Sequence, residues 1–96
     1  MNKKITIIGV GGRMGKWFAN YFHKIGFEIT GYDIENEIKE KFVNKSNSLV
    51  GAILGTEYVI LCTPTKKTPE IIRLISKEMM RGAYLIEISS QKAKTS

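Results

Sequence analysis

The sequence predicts an α/β fold in which a parallel sheet carries helices on both faces. Apolar, β-branched runs alternate along the chain with segments of helical periodicity. The first of these runs is nearly continuous in apolar residues, as expected of a strand buried on both faces of a sheet. Right-handed crossovers through the helices would place the strands parallel in one sheet. With 96 residues, the chain has room for a single domain.

Four segments are predicted to be strands. The first, residues 4–10, is rich in isoleucine and valine and runs directly into glycines. The others are residues 27–32, 58–63 and 83–88, and the third of the four stops at Pro64. Their regular alternation with helical segments is typical of βαβ units.

The clearest helical pattern covers residues 14–25. Its apolar side chains Phe18, Phe22 and Ile25 recur every three to four residues, as on the buried face of an amphipathic helix. Gly26 stands where a left-handed C-terminal cap belongs. We therefore predict that this helix packs its aromatic stripe on the sheet.

Residues 68–80 are a second well-marked helix, with proline in the first turn and Gly82 near the end. Two weaker segments lie between the second and third predicted strands. Residues 35–42 are predicted to be weakly helical, and residues 49–54 to be a short apolar turn or helix. A polar loop, residues 44–48, is predicted to separate them.

Composition excludes several classes of protein. Lysine and arginine number 15 against 9 acidic residues, a net charge of +6, but no run of five like charges occurs. This indicates a solvated lysine-rich surface, with attraction of an anionic small molecule or of nucleic acid as alternatives. One cysteine excludes an intrachain disulfide, and no stretch nears the roughly 18 apolar residues of a membrane span. We expect a cytoplasmic domain that binds neither membranes nor nucleic acid.

The single histidine and the single cysteine are both predicted to lie outside any catalytic site. His23 neighbours Lys24 on the first predicted helix, away from the phenylalanine stripe, which indicates a surface histidine. Cys62 lies among apolar residues of the third predicted strand, which indicates a buried, unreactive thiol. No metal site is predicted.

The most informative motif is a glycine-rich turn, residues 9–15, between the first strand and the first helix. A dinucleotide-binding turn needs one glycine to leave the strand, a second to admit the pyrophosphate and a third to pack helix on strand. The spacing here is GxGxxxG rather than GxGxxG. We interpret it as a turn lengthened by one residue, with Gly11 and Gly12 both near the phosphates. The predicted cofactor contacts of this turn are Gly9, Gly11, Gly12, Arg13, Met14 and Gly15.

An acid follows the second predicted strand at the distance that a dinucleotide fold requires. Asp33 lies 22 residues after Gly11 and 18 after Gly15, close to the usual spacing of about 20. A carboxylate there accepts hydrogen bonds from the adenosine ribose and repels the 2′-phosphate of NADP. The pair predicts a Rossmann-like domain that binds NAD in preference to NADP. The alternative is that the glycines serve only helix packing and that Asp33 caps a turn.

Two further sets of residues are candidates for cofactor contacts. Arg13 lies within the turn, where its guanidinium can stack on adenine or reach a phosphate, and a plain exposed arginine is the alternative. Thr63 and Pro64 end the third predicted strand at its carboxyl edge, where ligands of open parallel sheets bind. We predict that they line the ribose and nicotinamide, with a plain loop as the alternative.

Three segments of the sequence together carry a resemblance to a known family. The glycine turn continues into Gly-Lys-Trp-Phe at residues 15–18, an apolar strand at residues 59–62 is followed by Thr-Pro, and residues 85–92 end in Ser-Gln-Lys. This combination resembles the prephenate dehydrogenases, especially the archaeal ones, and the Ser-x-Lys segment is the most specific part. The first segment is shared in part with hydroxyisobutyrate and 6-phosphogluconate dehydrogenases.

The resemblance implies an activity. Enzymes of that family pass a hydride from prephenate to NAD and release carbon dioxide, giving 4-hydroxyphenylpyruvate on the way to tyrosine. By this resemblance Ser90 is the catalytic serine near the ring hydroxyl and the nicotinamide, and Lys92 is the lysine that follows it. Two positions depart from the family pattern, because Glu87 stands where the family usually has Asp and Gln91 where it often has Val.

The resemblance also implies that part of the enzyme lies outside the 96 residues. The family's catalytic histidine and its helical domain for substrate binding and dimerisation follow the Ser-x-Lys segment. We therefore expect residues 1–96 to be the dinucleotide-binding domain of a longer, homodimeric enzyme, and to bind NAD without turning over prephenate. The alternatives are the cofactor domain of a hydroxyisobutyrate- or 6-phosphogluconate-type dehydrogenase, a non-catalytic NAD-binding module, and a basic nucleic-acid binder.

Overall fold

The computed structural model describes residues 3–62 and 68–88. In this part of the chain, five strands form one parallel sheet with helices on both faces. In chain order the elements are β1 (Lys3–Ile8), α1 (Arg13–Lys24), β2 (Phe27–Tyr32), β3 (Val43–Lys45), α2 (Leu49–Ile53), β4 (Tyr58–Leu61), α3 (Thr68–Glu78) and β5 (Tyr84–Glu87). The order across the sheet is β3-β2-β1-β4-β5, which is the Rossmann arrangement and confirms the predicted fold class.

Each face of the sheet has its own apolar layer. Ile7 and Ile60 belong to the layer that packs against Phe18 and Phe22 of α1. The alternate strand residues, such as Leu61, join the layer beneath α2 and α3. Because helices cover both faces, residues of both parities along β1 and β4 are buried, which explains their near-continuous apolar runs.

The segment 35–42, predicted to be weakly helical, is irregular, so this prediction is wrong. Asp33 is the reason, because its side-chain Oδ1 accepts the backbone N–H groups of Glu35 at 2.9 Å and Asn36 at 2.7 Å. Such local side-chain-to-backbone bonds occupy the N–H groups where a helix would begin and favour a turn instead.

Residues 44–48 were predicted to be a polar loop, but the first two of them belong to β3. Val43 is only 4% exposed and pairs with Ile29 of β2, so one apolar side chain holds this edge strand on the sheet. A three-residue strand is too short to show a period of two in the sequence, which is why it was not predicted.

Residues 49–54 were predicted to be a short turn or helix, and the structure has a helix there, α2. Ser48 caps it by accepting the Gly51 N–H at 2.9 Å, and Gly55 follows with a φ of +72°.

The predicted aromatic face of α1 is confirmed in part. Phe18 and Phe22 pack on the sheet, but Ile25 is 54% exposed because it lies beyond the last helical residue, where Gly26 turns the chain at φ +99°. Trp17 is also exposed, and its ring stacks on Tyr21 with centroids 5.5 Å apart. The helix therefore has more apolar surface than the sheet covers.

The amino-terminal ends of β1, β2 and β4 border a groove of about 610 Å³. Lys3, Phe27 and Tyr58, which begin these strands, line it together with Ile86. Ligands of open parallel sheets bind at the opposite, carboxyl edge. No helix within the described ranges is long and apolar enough to cross a membrane.

Candidate dinucleotide-binding site

The predicted site residues meet at the carboxyl edge of β1 and β2. β1 ends at Ile8, and Gly9 then turns the chain with a φ of +85°, a left-handed value that favours glycine. The Gly9 N–H donates to the carbonyl oxygen of Tyr32 at 2.7 Å, so the glycine turn is tied to the end of β2. Asp33 is the next residue, and the structure therefore brings the turn and the acid together.

Three glycines at intervals of three residues have different steric roles. Gly9 makes the tight turn out of β1. A Cβ on Gly15 would overlap the carbonyl oxygen of Gly9 and lie 2.6 Å from the Cα of Val10, so this position allows α1 to approach the strand closely. Among the described residues, a Cβ on Gly12 would meet nothing nearer than 3.5 Å, so none of them covers the outer side of this backbone. The residue that lengthens the turn lies between Gly9 and Gly12.

Gly11 is buried and serves the packing of the turn. Its N–H donates to Oδ2 of Asp33 at 2.8 Å, and a Cβ here would lie 2.9 Å from the Cβ of Asn36. Of the two glycines predicted to lie beside the phosphates, Gly12 is therefore open, whereas the N–H of Gly11 already has an acceptor. The assignment of both to the cofactor stays a prediction.

The first turn of α1 has unpaired hydrogen-bond donors. Gly12 is the N-cap and supplies no side-chain acceptor, and the first helical bond joins the Lys16 N–H to the Gly12 carbonyl oxygen at 2.9 Å. The N–H groups of Arg13, Met14 and Gly15 thus have no acceptor among the residues that the structure describes. No acidic residue lies in this turn to offset the helix dipole. Free donors and a positive dipole end are what a phosphate requires.

Asp33 is oriented by three backbone donors. Oδ2 accepts the Gly11 N–H, and Oδ1 accepts those of Glu35 and Asn36, at distances between 2.7 and 2.9 Å. The carboxylate is thereby held beside the turn without needing a ligand. Ile34, the next residue, is 69% exposed at this edge. Asn36, which also donates its backbone N–H to Asp33, was not singled out from the sequence. Its only signal in the sequence is that it is a polar residue three positions after the acid.

Not every predicted site residue can be placed. Arg13 is exposed at the start of α1, which agrees both with a cofactor contact and with a plain surface arginine. The side chain of Met14 packs on the core layer beneath α1, so only its backbone faces the turn. Thr63, Pro64 and the predicted catalytic Ser90 lie outside the described residues. Groups of three or more potential metal ligands are not found in ranges 3–62 and 68–88.

The predicted surface position of His23 and the predicted burial of Cys62 are confirmed. His23 is exposed and stacks on Phe42, with ring centroids 4.0 Å apart, on the side of α1 towards β3. Cys62 is 8% exposed, and burial raises the pKa of its thiol from 9.0 to about 12. A thiol in this environment stays protonated at neutral pH and is not a nucleophile.

We expect Cys62 to resist alkylation in the folded chain. Iodoacetamide at pH 8 should label it slowly in buffer and rapidly in 6 M guanidinium chloride, as followed by mass spectrometry. Because the unfolded chain loses the thiol proton at lower pH than the folded chain, Cys62 should also lower the stability as pH rises from 9 towards 12. Equally fast labelling under both conditions would contradict the burial of this thiol.

With this geometry established, comparison with known proteins identifies the family. Residues 1–92 match the sequence model of the D-isomer specific 2-hydroxyacid dehydrogenase NAD binding domain. The chain belongs to this family. The match covers every element from β1 to β5, so the family assignment rests on the whole of the sheet described above.

One curated relative is markedly similar in sequence. The probable arogenate/prephenate dehydrogenase of Methanocaldococcus jannaschii is 35% identical over 96 residues. The alignment covers 95% of this chain but 22% of that protein. The resemblance to prephenate dehydrogenases drawn from the glycine turn and the Ser-x-Lys segment is thus confirmed, and the chain spans about a fifth of the length of this relative.

Two solved structures show the same fold. The NAD-dependent formate dehydrogenase of Staphylococcus aureus in complex with NAD matches 93% of this chain and 27% of its own, with a TM-score of 0.78 and 21% identity. The prephenate dehydrogenase of A. aeolicus in complex with hydroxyphenyl propionate and NAD+ matches 98% of this chain and 36% of its own, with a TM-score of 0.71 and 21% identity. Both have the Rossmann-like fold described above.

Proposed function

We propose that residues 1–96 are the NAD-binding domain of a prephenate dehydrogenase. The observation that carries this proposal is the amino end of α1, where three N–H groups have no acceptor among the described residues, beside the prepositioned carboxylate of Asp33. The sequence similarity to a probable arogenate/prephenate dehydrogenase supports the choice of substrate.

The residues of the site fit a dinucleotide. Its pyrophosphate would lie against Gly12 and accept hydrogen bonds from the N–H groups of residues 13–15, whose helix dipole favours a dianion. The Asp33 carboxylate would accept hydrogen bonds from the adenosine ribose hydroxyls, and its negative charge would disfavour the 2′-phosphate of NADP. Arg13 would stack on adenine or reach a phosphate. When bound, NAD supplies the hydride acceptor of the reaction.

The remaining assignments follow from the resemblance. We propose that Thr63 and Pro64 line the ribose and nicotinamide and that Ser90 hydrogen-bonds near the hydroxyl of prephenate. The full reaction, oxidative decarboxylation in tyrosine biosynthesis, would need the helical domain and the histidine that follow in the family. We propose that the complete enzyme is a cytoplasmic homodimer whose partner molecules are small metabolites rather than nucleic acid.

Calorimetric titration of the 96-residue chain tests the proposal. We expect NAD to bind more tightly than NADP, and double-stranded DNA not to bind at 0.15 M salt. Stronger binding of NADP would contradict the role of Asp33, and absence of dinucleotide binding would contradict the function as a whole.

Absorbance at 340 nm tests the second part of the proposal. With NAD present, we expect residues 1–96 to oxidise neither prephenate nor a D-2-hydroxy acid, because the resemblance places the family's catalytic histidine after the Ser-x-Lys segment. Steady production of NADH from prephenate would contradict the requirement for a further domain. Oxidation of the hydroxy acid alone would instead favour a 2-hydroxyacid dehydrogenase.

Replacement of Asp33 by Asn should weaken NAD binding and change the cofactor preference. The amide offers one acceptor oxygen where the carboxylate offers two, so either the Gly11 N–H or the pair from Glu35 and Asn36 loses its acceptor. We expect about 1 kcal/mol lower stability and a smaller ratio of NADP to NAD dissociation constants. Thermal unfolding and calorimetry measure the two effects, and Glu57→Gln, an exposed acid elsewhere, is the control. An unchanged ratio would contradict the role of this carboxylate.

A further inference from the structure

Asn36 lies directly over the glycine turn. Its Cβ is 2.9 Å from the position that a Cβ on Gly11 would occupy, and its amide nitrogen is 3.8 Å from the corresponding position on Gly12. Gly12 is the open residue of the turn, against which the pyrophosphate is proposed to lie. The Asn36 amide therefore lies near the first turn of α1, whose N–H groups have no acceptor in ranges 3–62 and 68–88.

The structure itself makes little use of this side chain. The hydrogen bond that matters for the turn comes from the Asn36 backbone N–H, which donates to Asp33 at 2.7 Å. The side-chain amide lies 3.4 and 3.5 Å from the two Asp33 oxygens, at the long limit for a hydrogen bond. The carbonyl oxygen of the side chain has no partner within the described residues, and the residue is exposed. Replacing the side chain should therefore cost the fold little.

An amide in this position is suited to a phosphate. It carries two N–H donors and no charge, and the acids that flank it, Glu35 and Glu37, are exposed. The amide nitrogen lies between the Asp33 carboxylate, which is proposed to bind the ribose, and the Cβ position of Gly12. We propose that Asn36 binds the dinucleotide directly, by donating from its side-chain amide to the phosphate nearest the adenosine. This inference rests on the proposed function and adds a contact that the glycine motif and the acid do not include.

Calorimetry on three variants tests the inference. Asn36→Ala should bind NAD, NADP and ADP roughly fivefold more weakly than the wild-type chain, since one hydrogen bond is lost and all three ligands share the phosphate. Asn36→Asp should lose more, because its carboxylate would repel the pyrophosphate, and the loss should shrink at 0.5 M salt. Asn20→Ala removes an exposed asparagine that bonds only to the Lys16 carbonyl oxygen of its own helix, and it should bind like wild type.

The outcomes separate this inference from the proposed function. If the wild-type chain binds no dinucleotide, the proposed function fails and Asn36 with it. If wild type binds NAD and Asn36→Ala binds equally well, only the role of Asn36 fails. If Asn36→Ala changes the ratio of the NADP and NAD dissociation constants, the residue acts through Asp33, and this result would overturn a direct phosphate contact. Circular dichroism should give the same melting temperature, within about 2 °C, for wild type and Asn36→Ala. A larger fall would contradict the assignment of a ligand-binding rather than a structural role.

Discussion

Replacement of Gly15 by Ala should strongly destabilise the domain. The new Cβ would overlap the Gly9 carbonyl oxygen and lie 2.6 Å from the Val10 Cα, and both are backbone atoms that cannot rotate away. α1 would have to move off the end of β1, which loosens the buried contacts of Ala19 and Phe18. We expect a loss of about 3 kcal/mol or more, or a melting temperature lower by about 12 °C or more. Thermal unfolding followed by circular dichroism measures it.

Gly12→Ala is the matched control for Gly15→Ala. Both replace a glycine of the same turn by the same residue, but Gly12 has a φ of −80° and a ψ of 177°, which alanine adopts without strain. Its Cβ would meet nothing nearer than 3.5 Å. We expect its melting temperature to stay within about 3 °C of wild type. Equal stability of the two variants would show that α1 does not approach β1 as closely as described.

Gly12→Ala should weaken NAD binding although it leaves the stability of the fold nearly unchanged. A methyl group on Gly12 would occupy the space through which the pyrophosphate approaches the free N–H groups of α1, so the hydrogen bonds to Arg13 and its neighbours would lengthen. We expect NAD affinity to fall about tenfold or more, the equivalent of roughly 1.4 kcal/mol. Calorimetric titration with NAD, compared with the Asn20→Ala control, measures the loss.

Two results would contradict the position of the ligand. If Gly12→Ala binds NAD as tightly as wild type, the pyrophosphate does not pass over this residue. If the variant loses binding together with its fold, the space around Gly12 is not open in solution. A folded variant with weakened binding, beside an unstable Gly15→Ala, would separate the two glycines into a ligand-facing and a packing role.

The sequence was sufficient to predict most elements of the fold. β-branched runs, a helical stripe of phenylalanines and glycines after the helices are local signals. They located β1, β2, β4, β5, α1 and α3 to within a few residues, and they left a turn or a helix open at α2. The glycine turn and Asp33 were also found from spacing. Each of these signals works because the residue's own conformational preference agrees with its place in the fold.

The errors occurred where contacts outside the segment decide the conformation. Residues 35–42 have some helical preference, but Asp33 binds the N–H groups at their start and draws the chain over the turn. Val43 forms a strand because Ile29 is next to it in space. Ile25 continues the apolar spacing of α1, yet it lies past the end of the helix, and burial depends on which positions the sheet can cover.

The sequence by itself therefore determined the fold class, the position of the candidate dinucleotide site and the acid that follows β2. Only the tertiary structure showed that no described residue covers the outer side of Gly12, that the N–H of Gly11 donates to Asp33, and that the Asn36 amide lies beside Gly12. The reason is physical. Spacing along the chain reports which residues lie on one turn, whereas the directions of N–H groups and the room for a Cβ depend on how β1, α1 and the segment after β2 pack together.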